Sequence, residues 1–226
     1  MSAQRPSRPG VPLAAQQPFS VLVVCTGNVC RSPQAERLLL ARRDAAASAA
    51  GPPGIRSALL FSSAGTAALV GSPMTPEALA ETIARGGSDS PHRARQVTEA
   101  MLTGADLVLT MERAQRAAVV GMVPRSSRTT FTLRELARLL ADLVASGEAE
   151  IAAGDGGLPA ALRSLVPQVA ARRGFAVPPA DPAADDIIDP YGRTAAVYHQ
   201  SADQVQAGTD AVWRHAALLL AGGAHG

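Results

Sequence analysis

Aromatic side chains make up only 3% of the 226 residues, with one tryptophan, two tyrosines and four phenylalanines. The rings that usually dominate burial are scarce, so alanine and aliphatic residues must fill most of the core. Cysteine is equally sparse, and Cys25 and Cys30 are the only two. Two thiols so close in sequence exclude the disulfide framework of a small secreted domain. No apolar run reaches the roughly 18 residues that a membrane-spanning helix needs, so no membrane insertion is expected. The net charge of +2 gives no general attraction to nucleic acid. Neither a metal nor a cofactor is expected, and the default location is cytoplasmic.

Chemically specific residues concentrate in one stretch, Val23-Val24-Cys25-Thr26-Gly27-Asn28-Val29-Cys30-Arg31-Ser32-Pro33. The valine-rich segment from Phe19 to Val24 reads as a buried strand. Pro33 suits the first turn of a helix, and good helix formers follow it. Residues 25–32 therefore form a turn between a strand and a helix N-terminus, where free N–H groups and the helix dipole favour an anion. Gly27 lets the backbone approach a ligand closely, and Asn28 tolerates a left-handed conformation. Cys25 would face this cradle, a setting that favours a nucleophilic thiolate. Arg31 offers a planar fork to two phosphate oxygens, and Ser32 can donate to the thiolate when it leaves. Cys30 reads equally as a redox partner that guards Cys25 or as an inert buried thiol.

This stretch resembles the signature of the low-molecular-weight protein tyrosine phosphatases, and four further segments agree in that family's order. They are Ser62-Ser63-Ala64-Gly65-Thr66, His92-Arg93-Ala94-Arg95-Gln96-Val97, Ala105-Asp106-Leu107-Val108-Leu109-Thr110-Met111-Glu112 and Asp189-Pro190-Tyr191-Gly192. The resemblance implies Cys25 as nucleophile, Arg31 as phosphate clamp and Asp189 as general acid and base. It implies that Thr26, Gly27, Asn28, Val29, Cys30 and Ser32 cradle the phosphate. Tyr191 would wall the cleft, while Ser63 and His92 would support the loop. The implied substrate is a phosphorylated protein or aryl phosphate, supplied by a cognate tyrosine kinase.

Strands are expected near 19–24, 58–62, 106–111 and 129–132. Helices are expected near 33–49, 75–85, 97–103, 112–120, 133–145 and 195–221. This alternation predicts an α/β three-layer sandwich with a central four-stranded parallel sheet, Rossmann-like, with the phosphate loop between strand one and helix one. Residues 1–18 are rich in proline, glutamine, serine and arginine and are expected to be a disordered tail. Residues 19–226 then form one phosphatase domain with a partly helical insertion at about 147–184. The family's aromatic cleft wall falls at Ala68 or Leu69, neither of which is aromatic. Two other activities share the loop. Protein-arginine phosphatases of this family carry threonine where Val29 stands, which ranks that activity second. Thioredoxin-coupled arsenate reductases need later cysteines, and none follows Cys30.

Overall fold

The structure is a computed structural model that describes residues 17–49, 54–151 and 157–222. The expected tail lies outside the described residues except for Gln17 and Pro18. Those two are tied down, because their carbonyls accept from Arg163 Nη2 at 3.1 and 2.8 Å.

Four parallel strands form one sheet: β1 (Phe19–Cys25), β2 (Leu59–Gly65), β3 (Leu107–Thr110) and β4 (Thr130–Thr132), in the order β2-β1-β3-β4. Strand β2 runs three residues beyond its expected end at 62. It pairs with β1 along the whole length, Phe19 opposite Leu59 through Cys25 opposite Gly65. The two polar serines in β2 do not interrupt this ladder, since the main chain makes it.

Alternate residues of β1 serve different layers. Phe19, Val21, Val23 and Cys25 join a core with α1 (Arg31–Ser48), α6 (Leu133–Ser146), α7 (Gly157–Ala171) and α8 (Ala195–Gly222). Leu22 and Val24 pack on the opposite face with Leu102 of α4 (Glu99–Gly104) and Val119 of α5 (Arg113–Met122). Helix α3 (Pro76–Ala84) contacts α1 and α8. A one-turn helix α2 (Ile55–Ala58), too short for a periodic signature, precedes β2.

Caps set the helix starts. Thr75 accepts from Ala78 N ahead of Pro76, as the Thr-Pro-Glu pattern predicts. Thr132 and Glu135 form a reciprocal capping box that opens α6 directly from β4. Helices α6 and α8 cross closely at Gly208, where a Cβ would meet Leu133 Cγ at 2.8 Å.

The 147–184 stretch is partly helical, and residues 152–156 lie outside the described residues. Helix α7 contains Pro167 and buries Leu165 and Val169 in the core beneath the sheet. Arginines fasten the stretch to the domain. Arg163 pairs with Asp106 at 2.8 Å, Arg172 with Asp142 at 2.5 Å and Arg173 with Glu135 at 2.7 Å. Arg173 also lies over the Phe131 ring, 4.2 Å from its centre. No helix among the described residues is long and apolar enough to cross a membrane.

Candidate active site

The carboxyl end of β1 opens into the loop Cys25–Cys30, and α1 begins at Arg31. Open α/β sheets place ligands at this edge. Asn28 adopts φ +56°, the single positive φ of a non-glycine residue among the described residues.

Six successive carbonyls of the turn are bonded. Thr66 N donates to Cys25 O at 2.9 Å, Ala67 N to Thr26 O at 3.0 Å and Leu69 N to Gly27 O at 3.0 Å. His92 Nε2 meets Asn28 O at 2.7 Å, and Thr75 N donates to Val29 O at 3.0 Å. Gln34 N donates to Cys30 O at 3.2 Å. With these carbonyls turned to the surrounding chain, the N–H groups of Thr26, Gly27, Val29 and Cys30 take no partner among the described residues. Such a row of unspent donors at a helix N-terminus is an anion nest.

Ser32 Oγ lies 3.0 Å from Cys25 Sγ, and Asn28 N donates to the same sulfur at 3.3 Å. The orientation of Ser32 follows from Asn28, whose Nδ2 donates to Ser32 Oγ and to Ser63 Oγ, each at 3.0 Å. A lone pair of Ser32 is thereby used, and its O–H has two acceptors in reach, Cys25 Sγ at 3.0 Å and Ala64 O at 3.4 Å. Asn28 Oδ1 accepts from Arg95 N at 2.9 Å, so the amide is held on both sides. Arg95 Nε also donates to Ser63 O at 2.7 Å.

Arg31 is almost wholly buried. Its Nη1 bonds Glu112 Oε1 and donates to Ile187 O at 2.8 Å, while Nη2 pairs with Asp189 Oδ2 at 2.9 Å. Its buried Nε has no hydrogen-bond partner among the described residues. A buried N–H without a partner costs about 1–3 kcal/mol, and an oxyanion in the nest would relieve it. Asp189 is half exposed, and its Oδ1 accepts from Tyr191 N at 3.2 Å. Cys25, Arg31, Asp189 and Tyr191 line one cleft of about 220 Å³, with Val29 and Leu69 as apolar walls. Leu69 thus occupies the wall position that the sequence left between residues 68 and 69.

The Cys30 side chain has partners of its own at the edge of this cleft. Its Sγ lies 3.5 Å from Thr75 Oγ1 and 3.9 Å from Tyr198 Oη. Burial pushes its thiol up and outweighs the hydrogen bonds it shares with Thr75 and Tyr198. Burial pushes the His92 imidazole down, against the opposing effect of its bond to Asn28 O.

Sequence reading assigned no role to four participants: Glu112, Gln115, Arg95 and Tyr198. Glu112 closes the strand-three segment already matched, so its place beside the clamp had a positional signal. Gln115 had none. It is buried, accepts from Met111 N at 2.9 Å and Glu112 N at 3.1 Å, and donates to Thr26 Oγ1 at 3.1 Å. It ties the phosphate loop to the carboxylate that holds Arg31. At Gly65 a Cβ would collide with the Thr26 carbonyl oxygen, so the end of β2 can approach the loop only as glycine. No group of three histidine, cysteine, aspartate or glutamate side chains among the described residues is placed to hold a metal ion.

Comparison with known proteins agrees with this geometry. The family model for low molecular weight phosphotyrosine protein phosphatases matches residues 20–142. A probable low molecular weight protein-tyrosine-phosphatase, EpsP of Ralstonia nicotianae, is 39% identical over 118 residues, covering 52% of this chain and 72% of that protein. The solved low molecular weight protein tyrosine phosphatase of T. tengcongensis superimposes with a TM-score of 0.57 at 26% identity, covering 87% of this chain and 98% of that one. The arginine phosphatase YwlE of Geobacillus stearothermophilus gives a TM-score of 0.57 at 25% identity, covering 87% and 92%. The chain belongs to the low molecular weight phosphotyrosine protein phosphatase family.

Proposed function

We propose that the protein hydrolyses phosphotyrosine through a phosphocysteine formed on Cys25. In the first step Cys25 Sγ attacks phosphorus as the P–O bond to the phenol breaks, and Asp189 gives its proton to the departing oxygen. The loop N–H groups and Arg31 hold the three non-bridging oxygens, where charge builds. In the second step the Asp189 carboxylate takes a proton from water, and the water oxygen attacks phosphorus. The S–P bond then breaks, the sulfur leaves as a thiolate stabilised by Ser32 Oγ, and inorganic phosphate departs. An arriving phosphoryl group competes with Asp189 for the Arg31 guanidinium, which frees the carboxyl for the leaving group.

The observation that carries this reading is the backbone of the loop: six carbonyls bonded away from the cleft and four N–H groups left for an anion beside Cys25 Sγ. Val29 and Leu69 favour an aryl ester over a phosphoguanidinium, because their walls offer a cation no partner. Ser63 and His92 act as supports of the loop, and Tyr191 packs on the substrate ring. We read residues 147–184 as an insertion in a single domain that starts at residue 19. The family match, which ends at residue 142, supports that reading. The substrate is a phosphoprotein made by a tyrosine kinase, and the thiol chemistry suits the reducing cytoplasm.

Phosphotyrosyl and phosphoarginyl peptides assayed side by side test the proposal. Release from phosphotyrosine should exceed release from phosphoarginine, and Val29→Thr should narrow the ratio. Efficient release from phosphoarginine alone would replace the reading with a protein-arginine phosphatase.

A further inference from the structure

The amino ends of the strands hold a second concavity, remote from Cys25. A cavity of about 440 Å³ lies between the sheet and helices α1, α6, α7 and α8. Val21 and Phe61 line it from the sheet, Leu162 and Val166 from α7, and Trp213 and Ala216 from α8. Among the described residues every one that lines it is apolar, and the Trp213 indole is the only side chain among those with a hydrogen-bonding group. Its lining runs from buried to exposed residues. Val21 and Phe131 are buried, whereas Ala217 and Ala221 near the end of α8 are exposed.

Its origin is compositional. Protein interiors pack to crystal-like density, yet this one has few rings to spend, and alanines 46, 216, 217 and 221 stand where larger side chains would close the space. Phe61, Leu162, Val166 and Trp213 remain only partly buried although helices surround them. Ordered water is a poor occupant, because it needs two to four polar partners. The volume is about three times that of an engineered apolar cavity that takes up one benzene molecule.

We propose that this cavity binds one free acyl chain, its hydrocarbon inside and its polar head on the exposed side beside Ala217 and Ala221. The apolar lining fits such an amphiphile: a chain of methylenes needs no hydrogen bond from the walls, and its carboxylate stays in water. A purely polar ligand would lose its hydration with nothing in return. Helix α7 forms one wall, which gives the 147–184 stretch a role in ligand binding rather than in the phosphatase cleft.

Trp213 is the sole tryptophan, so its fluorescence reports on the cavity directly. The full chain is titrated with dodecanoate and hexadecanoate below their micelle concentrations, in parallel with phospholipid vesicles. The expected result is a saturable one-to-one change in Trp213 emission with the free acids, equally strong in Cys25→Ser. Two variants that fill the space from different helices, Ala216→Phe and Val166→Phe, should weaken binding about tenfold or more while turnover of p-nitrophenyl phosphate stays within about twofold. No saturable response in the wild-type chain overturns the proposal. So does unchanged affinity in either variant that retains turnover, or a response to vesicles alone. Binding that emerges only after residues 1–16 are removed also overturns it, because the chain's own tail would then be the occupant.

Discussion

The two ends of strand β1 are built by opposite rules. At the Cys25 end, polar groups are held by name: Asn28 by Arg95, Ser32 by Asn28, Thr26 by Gln115 and Arg31 by Glu112. At the Phe19 end the walls are interchangeable hydrocarbon, and the packing is loose. Low dielectric makes a polar network expensive to break and an apolar wall forgiving. Substitutions at the first end should therefore change chemistry, and those at the second should change stability or ligand binding.

The sharpest break in that contrast is Asp189→Ala. With the carboxyl gone, kcat for phosphotyrosine should fall about 10²–10⁴-fold, and far less for a substrate whose leaving group needs no proton. Equal losses on good and poor leaving groups, measured by steady-state kinetics, would move the acid to another residue. Gln115→Ala should come next. It leaves Thr26 Oγ1 and Glu112 N without their Gln115 partner and takes from Met111 N the shorter of its two bonds, the other going to Val24 O at 3.2 Å. The expected cost is about 1–3 kcal/mol in stability, together with a fall in kcat larger than the change in KM. A loss of thermal stability with kinetics intact would make Gln115 structural only.

Arg173→Ala probes the other end. It removes bonds to Glu135, Ser127 O and Thr130 O and the contact over Phe131. Stability should fall by about 1–2 kcal/mol, with kcat/KM unchanged. The smallest effect concerns pH. Burial holds the folded His92 below its ordinary value of 6.5, so the unfolded chain binds the proton more readily. The contribution of His92 is complete above about pH 6.5 and is lost as pH falls through the window down to its lowered folded value. Thermal melts from pH 5 to 8 should show this slope flattened in His92→Gln. His215, which burial also pushes down, adds a slope of the same sign.

The same contrast explains what could be read from the sequence. Cys25 and Arg31 announce themselves by residue type and spacing, Asp189 was legible only through the family resemblance, and the alternation of strand-like and helix-like segments anticipated four strands. The bonds that turn the loop inside out come from Thr66, Ala67, Leu69, Thr75 and His92, distant in sequence and mostly through main-chain N–H groups that any residue carries. Gln115 had no motif, since its role depends on helix α5 starting beside Thr26. The cavity was visible only as a shortage of rings, because composition gives the amount of filling and not the place where it runs out.

The central claim is that Cys25 carries the phosphate between substrate and water. Asp189→Ala, incubated briefly with a phosphotyrosyl peptide, quenched in acid and digested, tests it directly by mass spectrometry. The account predicts phosphate on the peptide that contains Cys25, and no such adduct when Cys25→Ser is added to that background. Turnover with no phosphate on that peptide, or with phosphate on another residue, would contradict it.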